Sequence, residues 1–434
     1  MITLVLDDDP TGTQAMRDVT VILDWSDPEV WNAVKASDRA VHVLTNSRAH
    51  TGAEAGRLVG SAATAARTRY PRARIVLRGD STLRAHLWEE YEALREVVFP
   101  GQADVPLLLV PALPAAGRVT VGGRHLLERA GERIPLDQTE YARDGALAYS
   151  DSRLGRWAEE RSGGRLRAAD AVAVPLDRLR APGGETAVAA AIGTAARSGR
   201  PAVVVPDAET DGDLATIARG LRAAEEAGTP VIVRCAPAFA AVLARSAASA
   251  LAAPPDGGRG VLVLCGSFVP ATTAQLERLA QRYPEAIVDA RVRALAGSER
   301  DAEVDRLRGE ARSRIESGGL AVVATERERD PSLVDPESQL RIATAVAQVA
   351  RSAGAGAGVV VAKGGITSAV TARHGLGARA ARVIGPIATG VALWRLPTGV
   401  DLVVFPGNVG GPDLLADVVA SIAPRGRAGA AAPC

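Results

Sequence analysis

The fold is decided by Ile2-Thr3-Leu4-Val5-Leu6-Asp7-Asp8-Asp9-Pro10-Thr11-Gly12-Thr13-Gln14. A short, nearly unbroken apolar run ends abruptly in three carboxylates. Apolar runs of this length suit strands buried on both faces of a parallel sheet. The polar residues that follow would then lie outside the strand's carboxyl end, where open α/β sheets bind their ligands.

Working outward, the same unit recurs. Apolar runs at 40–44, 74–77 and 107–110 alternate with stretches of helical period at 53–69 and 85–98. Runs at 172–175, 203–206 and 231–234 continue the pattern, then 261–265, 320–325, 359–362 and 402–405. Strands alternating with helices predict an α/β protein of two domains, each with a mostly parallel sheet flanked by helices. The Pro/Gly-rich break AAPPDGGRG at 252–260 divides the chain. The expected domains are 1–251 and 260–423, with 424–434, which lacks apolar periodicity, as a disordered tail.

Composition narrows the function. A length of 434 residues suits two or three domains. With 51 basic and 50 acidic residues and no basic stripe, a general nucleic-acid binder is excluded. Aromatics at 3% are too sparse for base-stacking platforms. No apolar run approaches the roughly 18 to 20 residues of a membrane span. The N-terminal stretch lacks the basic and apolar regions of a secretory signal. Three distant cysteines (Cys235, Cys265, Cys434) make no disulfide framework and read as core and tail residues. A cytoplasmic protein is expected. Only Lys35 and Lys363 are lysines among the basic residues, so each survives against an arginine background.

The strand ends of the first half are polar throughout: Asp7 to Gln14, then Thr45-Asn46-Ser47-Arg48, then Arg78-Gly79-Asp80-Ser81-Thr82-Leu83-Arg84, then a loop holding Arg118. A helix cap needs one carboxylate, whereas three in succession repel unless a cation or donor-rich ligand holds them. Arg78 and Arg84 bracket an Asp-Ser-Thr turn and are expected to clamp a carboxylate by bidentate forks. Together these features describe a pocket for a small polyhydroxy acid.

The strand ends of the second half are rich in glycine instead. They read Gly266-Ser267, then Lys363-Gly364-Gly365-Ile366-Thr367-Ser368, then Pro406-Gly407-Asn408-Val409-Gly410-Gly411. Each can aim backbone N–H groups at an anion, and three together suggest a nucleotide phosphate chain. Neither G-x-x-x-x-G-K-[ST] nor a strand-end G-x-G-x-x-G occurs, and GAGAG at 354–358 precedes a strand and reads as a loop. The five scattered histidines lack zinc-site spacing, and G-x-S-x-G is absent. Glu140 and Asp144, four apart, read best as a solvated helix face.

These motifs resemble the four-carbon acid sugar kinases. The resemblance rests on DDDPTGTQ from Asp7, RGDSTLR from Arg78, AGR ending at Arg118 and TEYARD from Thr139. It continues through GSFVPATTAQL from Gly266, KGGITS from Lys363 and FPGNVGGPD from Phe405. It implies phosphorylation of acids such as threonate, erythronate and their 3-oxo forms by ATP. The N-terminal domain would hold the acid and the C-terminal domain the nucleotide. Carried over, Asp8, Asp9, Thr11, Gly12, Arg78, Asp80, Ser81 and Arg84 would form the sugar side. Ser267, Gly364, Gly365, Thr367, Gly407, Asn408 and Gly410 would form the ATP side, with Ile366 in the same loop and Lys363 approaching the phosphates. The chain departs from the commoner family pattern at Asp9-Pro10, Ala85 and Ile366, where an aromatic, glycine and glutamate are usual.

The expected reaction is transfer of the γ-phosphoryl of ATP to a terminal hydroxyl, with Mg²⁺ bridging the phosphates and held by few protein carboxylates. Asp80 is the expected group orienting or deprotonating the hydroxyl, with Asp8 the alternative. A nicotinamide-dependent dehydrogenase would need a dinucleotide fingerprint, which is missing. A non-catalytic sugar-acid sensor would need no carboxylate placed for transfer. A homodimer is compatible with the sequence, which leaves the oligomeric state open.

Overall fold

The computed structural model describes residues 2–129, 131–143, 145–246, 250–328, 330–333, 335–353 and 356–423. Asp144, Gly354, Cys434 and the stretch 424–434 lie outside the described residues. The strands in chain order begin with β1 (Thr3–Asp7), β2 (Val19–Ile22), β3 (Ala40–Leu44), β4 (Arg74–Arg78) and β5 (Leu107–Val110). Next come β6 (Arg118–Val121), β7 (Arg124–Arg129), β8 (Glu132–Pro135), β9 (Val172–Val174), β10 (Val203–Pro206) and β11 (Ile232–Cys235). The remainder are β12 (Val261–Cys265), β13 (Ile287–Ala290), β14 (Leu320–Thr325), β15 (Val359–Lys363), β16 (Ala380–Ala388), β17 (Val391–Arg395) and β18 (Asp401–Phe405).

Two compact units result. The first uses residues up to Gly12 and resumes at Trp25; the second uses Thr13–Asp24 and the chain beyond the 240s. The first unit therefore lends β2 to the second, a crossing that no apolar run announces.

In the first unit the strand order is β3-β1-β4-β11-β5-β10-β9, every pair parallel. Asp7 stands opposite both Leu44 and Arg78, and Arg78 opposite Cys235, so four strands end level with one another. The helix Gly52–Arg69 leaves β3 behind a capping box of Thr51 and Glu54 and packs on the helix Leu87–Val98. A separate antiparallel sheet, β6-β7-β8, is tied back through Thr120 and Ala208.

In the second unit the order is β13-β14-β12-β15-β18-β17-β16-β2. The first five strands are parallel, as strands with both faces covered should be. The rest run antiparallel, with β16 bulged around Gly385 and turning into β17 at Gly390 (φ +78°). Val261, Val263, Val322, Val361 and Val403 fill one core with Leu415 and Val419 of the helix Leu414–Ile422. Among the described residues, no helix is long and apolar enough to cross a membrane.

Candidate functional site

At the end of β1 the three aspartates are almost inaccessible, at 1%, 2% and 8% exposure. Their mutual repulsion is relieved by arginines. Arg48 grips Asp8 with both Nη2 (2.8 Å) and Nε (3.2 Å) and lies 3.7 Å from Asp9. Arg78 Nη1 donates to Asp7 Oδ1 (3.0 Å), Asp8 Oδ1 (3.2 Å) and the Asp9 carbonyl (3.1 Å). Asp7 also meets His42 Nδ1 at 2.8 Å. So Arg78, expected as half of a substrate clamp, is instead turned into the acidic loop. The cation needed to hold three carboxylates belongs to the chain itself.

Gly12 likewise has a local reason. A Cβ there would lie 2.1 Å from Asp7 Oδ2, so only glycine lets the loop close over the carboxylate. Thr11 N donates to Asp9 Oδ1 at 2.8 Å, an Asx turn that fixes Asp9. Burial pushes the Asp8 carboxyl up to about 6, against the pull of Arg48 and Arg78. Burial raises Asp9 too, but Arg48, Arg78 and Thr11 outweigh it and hold Asp9 low.

At the end of β4, Asp80 Oδ2 accepts from Arg84 Nε (2.6 Å) and from the Thr82 hydroxyl. Burial works against its charge, but Arg84, Arg48 and the hydrogen bonds from Thr82 and Arg84 hold its carboxyl far below the usual range. Asp80 is thus a permanent acceptor. The turn is secured from outside: the Ser81 carbonyl meets His125 Nε2 at 2.9 Å, and the Thr82 carbonyl accepts from Tyr149 at 2.9 Å. His125 is fully buried, which lowers it to about 4, so its Nε2–H donates and its Nδ1 accepts from Thr120. Leu83 is buried at φ +68°, and Asn46 takes φ +54°; both are conformations that L-residues avoid.

The arginines Arg84 and Arg118 each stand 5.9 Å from the Tyr141 ring. Tyr141, rather than Glu140, is therefore the residue by which the TEYARD segment reaches the site. Glu140 instead pairs with Arg129 at 3.2 Å from a 3₁₀ turn, Glu140–Arg143. Behind the acidic loop, Glu90 accepts from Ser47 (2.5 Å) and pairs with Arg234. Sequence reading missed Arg234 and Glu90, since each sits inside an otherwise ordinary strand or helix.

In the second unit the three glycine-rich junctions converge. A Cβ on Gly407 would lie 2.7 Å from Ser267 Oγ, one on Gly364 3.2 Å from Ser267 Cβ, and one on Gly266 2.9 Å from Thr367 Oγ1. Gly364 has φ +113°, barred to side-chain-bearing residues. Thr272 ties the loops: its hydroxyl donates to the Gly407 carbonyl (2.9 Å) and accepts from Ser267 Oγ (3.2 Å). Gln275 does the same for the carbonyls of Val409 and Gly411, both at 2.9 Å. Arg327, which sequence reading also missed, bonds the Ser267 carbonyl (2.7 Å) and Thr273 (2.9 Å).

Gly365, Ile366 and Asn408 are half-buried, and Ile366 packs against Ala343 and Ala347. Gly410 takes φ +85°. Lys363 is engaged within the protein. It is fully buried, its Nζ donates to the Pro406 carbonyl at 2.6 Å, and it lies 3.9 Å from the Phe405 ring. Burial drives it down to about 7.

Two family models cover most of the chain. Residues 3–243 fit a family model described as a sugar-binding N-terminal domain, and residues 262–415 one described as a nucleotide-binding C-terminal domain. A D-erythronate kinase of Heliobacterium modesticaldum is 31% identical over 348 residues, 76% of this chain and 74% of that protein. The chain belongs to the four-carbon acid sugar kinase family. A solved structure from Salmonella typhimurium LT2 shares the fold, with TM-score 0.70 and 20% identity, over 96% of this chain and 98% of that one. A Haemophilus influenzae structure does so at TM-score 0.60 and 16% identity, over 96% and 99%.

The glycine-lined junctions of this family member suit a phosphate chain, because backbone and the small hydroxyls of Ser267 and Thr367 meet there, with Val269 and Arg327 beside them. For a metal the residues offer less. Among the described residues no group of three or more His, Cys, Asp or Glu could cage an ion.

Proposed function

We propose that this protein phosphorylates a terminal hydroxyl of a small, four-carbon-type sugar acid at the expense of ATP. The observation that carries the reading is the contrast between two sets of strand ends. Buried carboxylates and arginines gather in the part matching a sugar-binding model, and interlocking glycines in the part matching a nucleotide-binding model. The kinase relative supports the reaction class.

ATP, with Mg²⁺, would supply the phosphoryl group. Asp80, held charged, accepts a hydrogen bond from a substrate hydroxyl and orients the acid. Asp8, lying nearer neutrality at about 6, takes the proton from the attacking hydroxyl. Arg48 and Arg84, less buried than Arg78, face the anionic substrate with part of their surface open. Ser267, Thr367 and the backbone of Gly364, Gly365 and Gly407 would line the phosphates. Lys363 positions the Gly407 loop from below.

The test is ADP release, read by a coupled assay, across D-erythronate, D- and L-threonate, their 3-oxo forms and erythritol. An aldonate should be used at least about tenfold better than the neutral polyol. No ADP release above background with any acid overturns the reading.

A further inference from the structure

A small cavity lies at the carboxyl ends of β4, β5 and β11, walled by Gly79, Asp80, Leu109, Pro111, Trp157 and Arg234. Its volume is about 10 Å³, room for one oxygen-sized group. Two of its walls are buried donors without an acceptor among the described residues. Trp157 is 1% exposed, and its indole Nε1 has no hydrogen-bond partner. Arg234 is 3% exposed; its Nη1 is taken by Glu90, while its Nη2 has no hydrogen bond. The carboxylate of Asp8 stands 3.9 Å from that Nη2, beyond hydrogen-bond reach. Gly79 makes the approach possible, for a Cβ there would come within 2.6 Å of Nη2.

Leaving two buried donors unpaired is costly, and folding alone gives no return for it. Of the remaining polar walls, the Cys235 thiol is at most a weak donor, and Asp80 is an acceptor, charged and held by Arg84 and Thr82. Two donors and one acceptor around room for one oxygen complement a single hydroxyl, which accepts twice and donates once. The hydroxyl that receives phosphate must meet the nucleotide, and a cavity of this size cannot admit both.

We infer that this cavity seats one non-reacting hydroxyl of the sugar acid, and that Trp157 and Arg234 determine which hydroxylated acids the enzyme accepts. The inference rests on the sugar-acid reading above and adds to it two specificity residues, Trp157 and Arg234, that lie outside every motif carrying the family resemblance. A site built to bond a hydroxyl rejects the analogue lacking it, because its polar groups then stay unpaired.

Two measurements test it. In protein labelled with ¹⁵N at its tryptophans, the Trp157 indole resonance is the one missing from Trp157→Phe. It should shift on adding D-erythronate or D-threonate, and stay in place with either the 2-deoxy or the 3-deoxy analogue. No shift with either acid, or equal shifts with both deoxy analogues, overturns the inference. A shift without any ADP release would instead overturn the kinase reading and leave the pocket standing. In kinetics, Trp157→Phe removes a donor that has no protein partner together with part of a buried ring, so its Tm should fall by only about 2–6 °C. The preference in kcat/KM for the full acid over that deoxy analogue should fall by roughly tenfold. Arg234→Lys keeps the charge opposite Glu90 but loses the second donor, and should narrow the preference similarly. A lower Tm with the preference unchanged means the cavity serves structure only, and the inference fails.

Discussion

The two sites occupy equivalent positions, the carboxyl ends of parallel strands, yet they are made of opposite materials. In the first unit Asp7, Asp8, Asp9, Asp80 and Glu90 interlock with Arg48, Arg78, Arg84 and Arg234, nearly all out of reach of water. In the second, Gly266, Gly364 and Gly407 crowd around two hydroxyls, and the buried cation Lys363 bonds only carbonyls. A charged lattice keeps its groups in place because each has several partners. A glycine junction lets another group come close to its backbone because it carries no side chains. The first arrangement suits recognition of a small polar molecule from many sides, the second close approach to one anion.

The contrast is broken most directly by deleting one cation from each site. Arg78→Met leaves Asp7 and Asp8 short of a partner and should cost about 3–5 kcal/mol, read as the denaturation midpoint of the first unit. Lys363→Met removes a buried charge together with its two carbonyl bonds and should cost less than half as much. Equal losses would erase the distinction.

Next in size is Asp8→Asn, which should lower kcat by about 10²-fold or more while leaving ADP affinity, measured by calorimetry, within about twofold. In the wild type, kcat/KM should decline as pH falls through about 6, where Asp8 gains its proton. A smaller effect is expected from Gly364→Ala. Its Cβ would press on Ser267 at a φ of +113°, weakening nucleotide binding roughly tenfold with sugar-acid binding unchanged. Loss of acid binding instead would join what the comparison separates.

The last effect, gradual per pH unit, is on stability. Lys363 is lowered to about 7 in the folded chain, from 10.5 when exposed. Between these values the unfolded state binds more protons, so stability rises with pH across that window, by at most about 1.4 kcal/mol per unit. Lys363→Met should flatten that slope in thermal melts from pH 7 to 10.

Much of this was legible from apolar runs alone. The runs at 40–44, 107–110, 203–206, 261–265 and 320–325 became strands residue for residue, because a strand covered on both faces has nothing else to be. The antiparallel members β2, β16 and β17 were not legible. Bulges at Gly385 and Pro386 break the alternation that would have shown β16. Within the sites, the motif residues gathered at the strand ends, but several functions moved inward. Arg78 and Lys363 read as ligand-facing cations, and both are spent on the protein itself. A sequence displays a side chain's charge but not its direction. Arg234, Glu90 and Trp157 were invisible for the converse reason, since a strand arginine, a helix glutamate and a core tryptophan look like packing.

The strand that the first unit lends to the second has a consequence in time. Val19 pairs with Val383, so one of the first strands synthesised must wait for one of the last. While the ribosome makes the intervening chain, residues 13–24 lack β16, their partner strand in the second unit, and closing so long a loop is slow. The first unit matures around a segment that does not belong to it. The second unit cannot be completed by any length of C-terminal chain on its own. A newly made molecule therefore completes the sheet of its second unit only after almost all of its length has emerged.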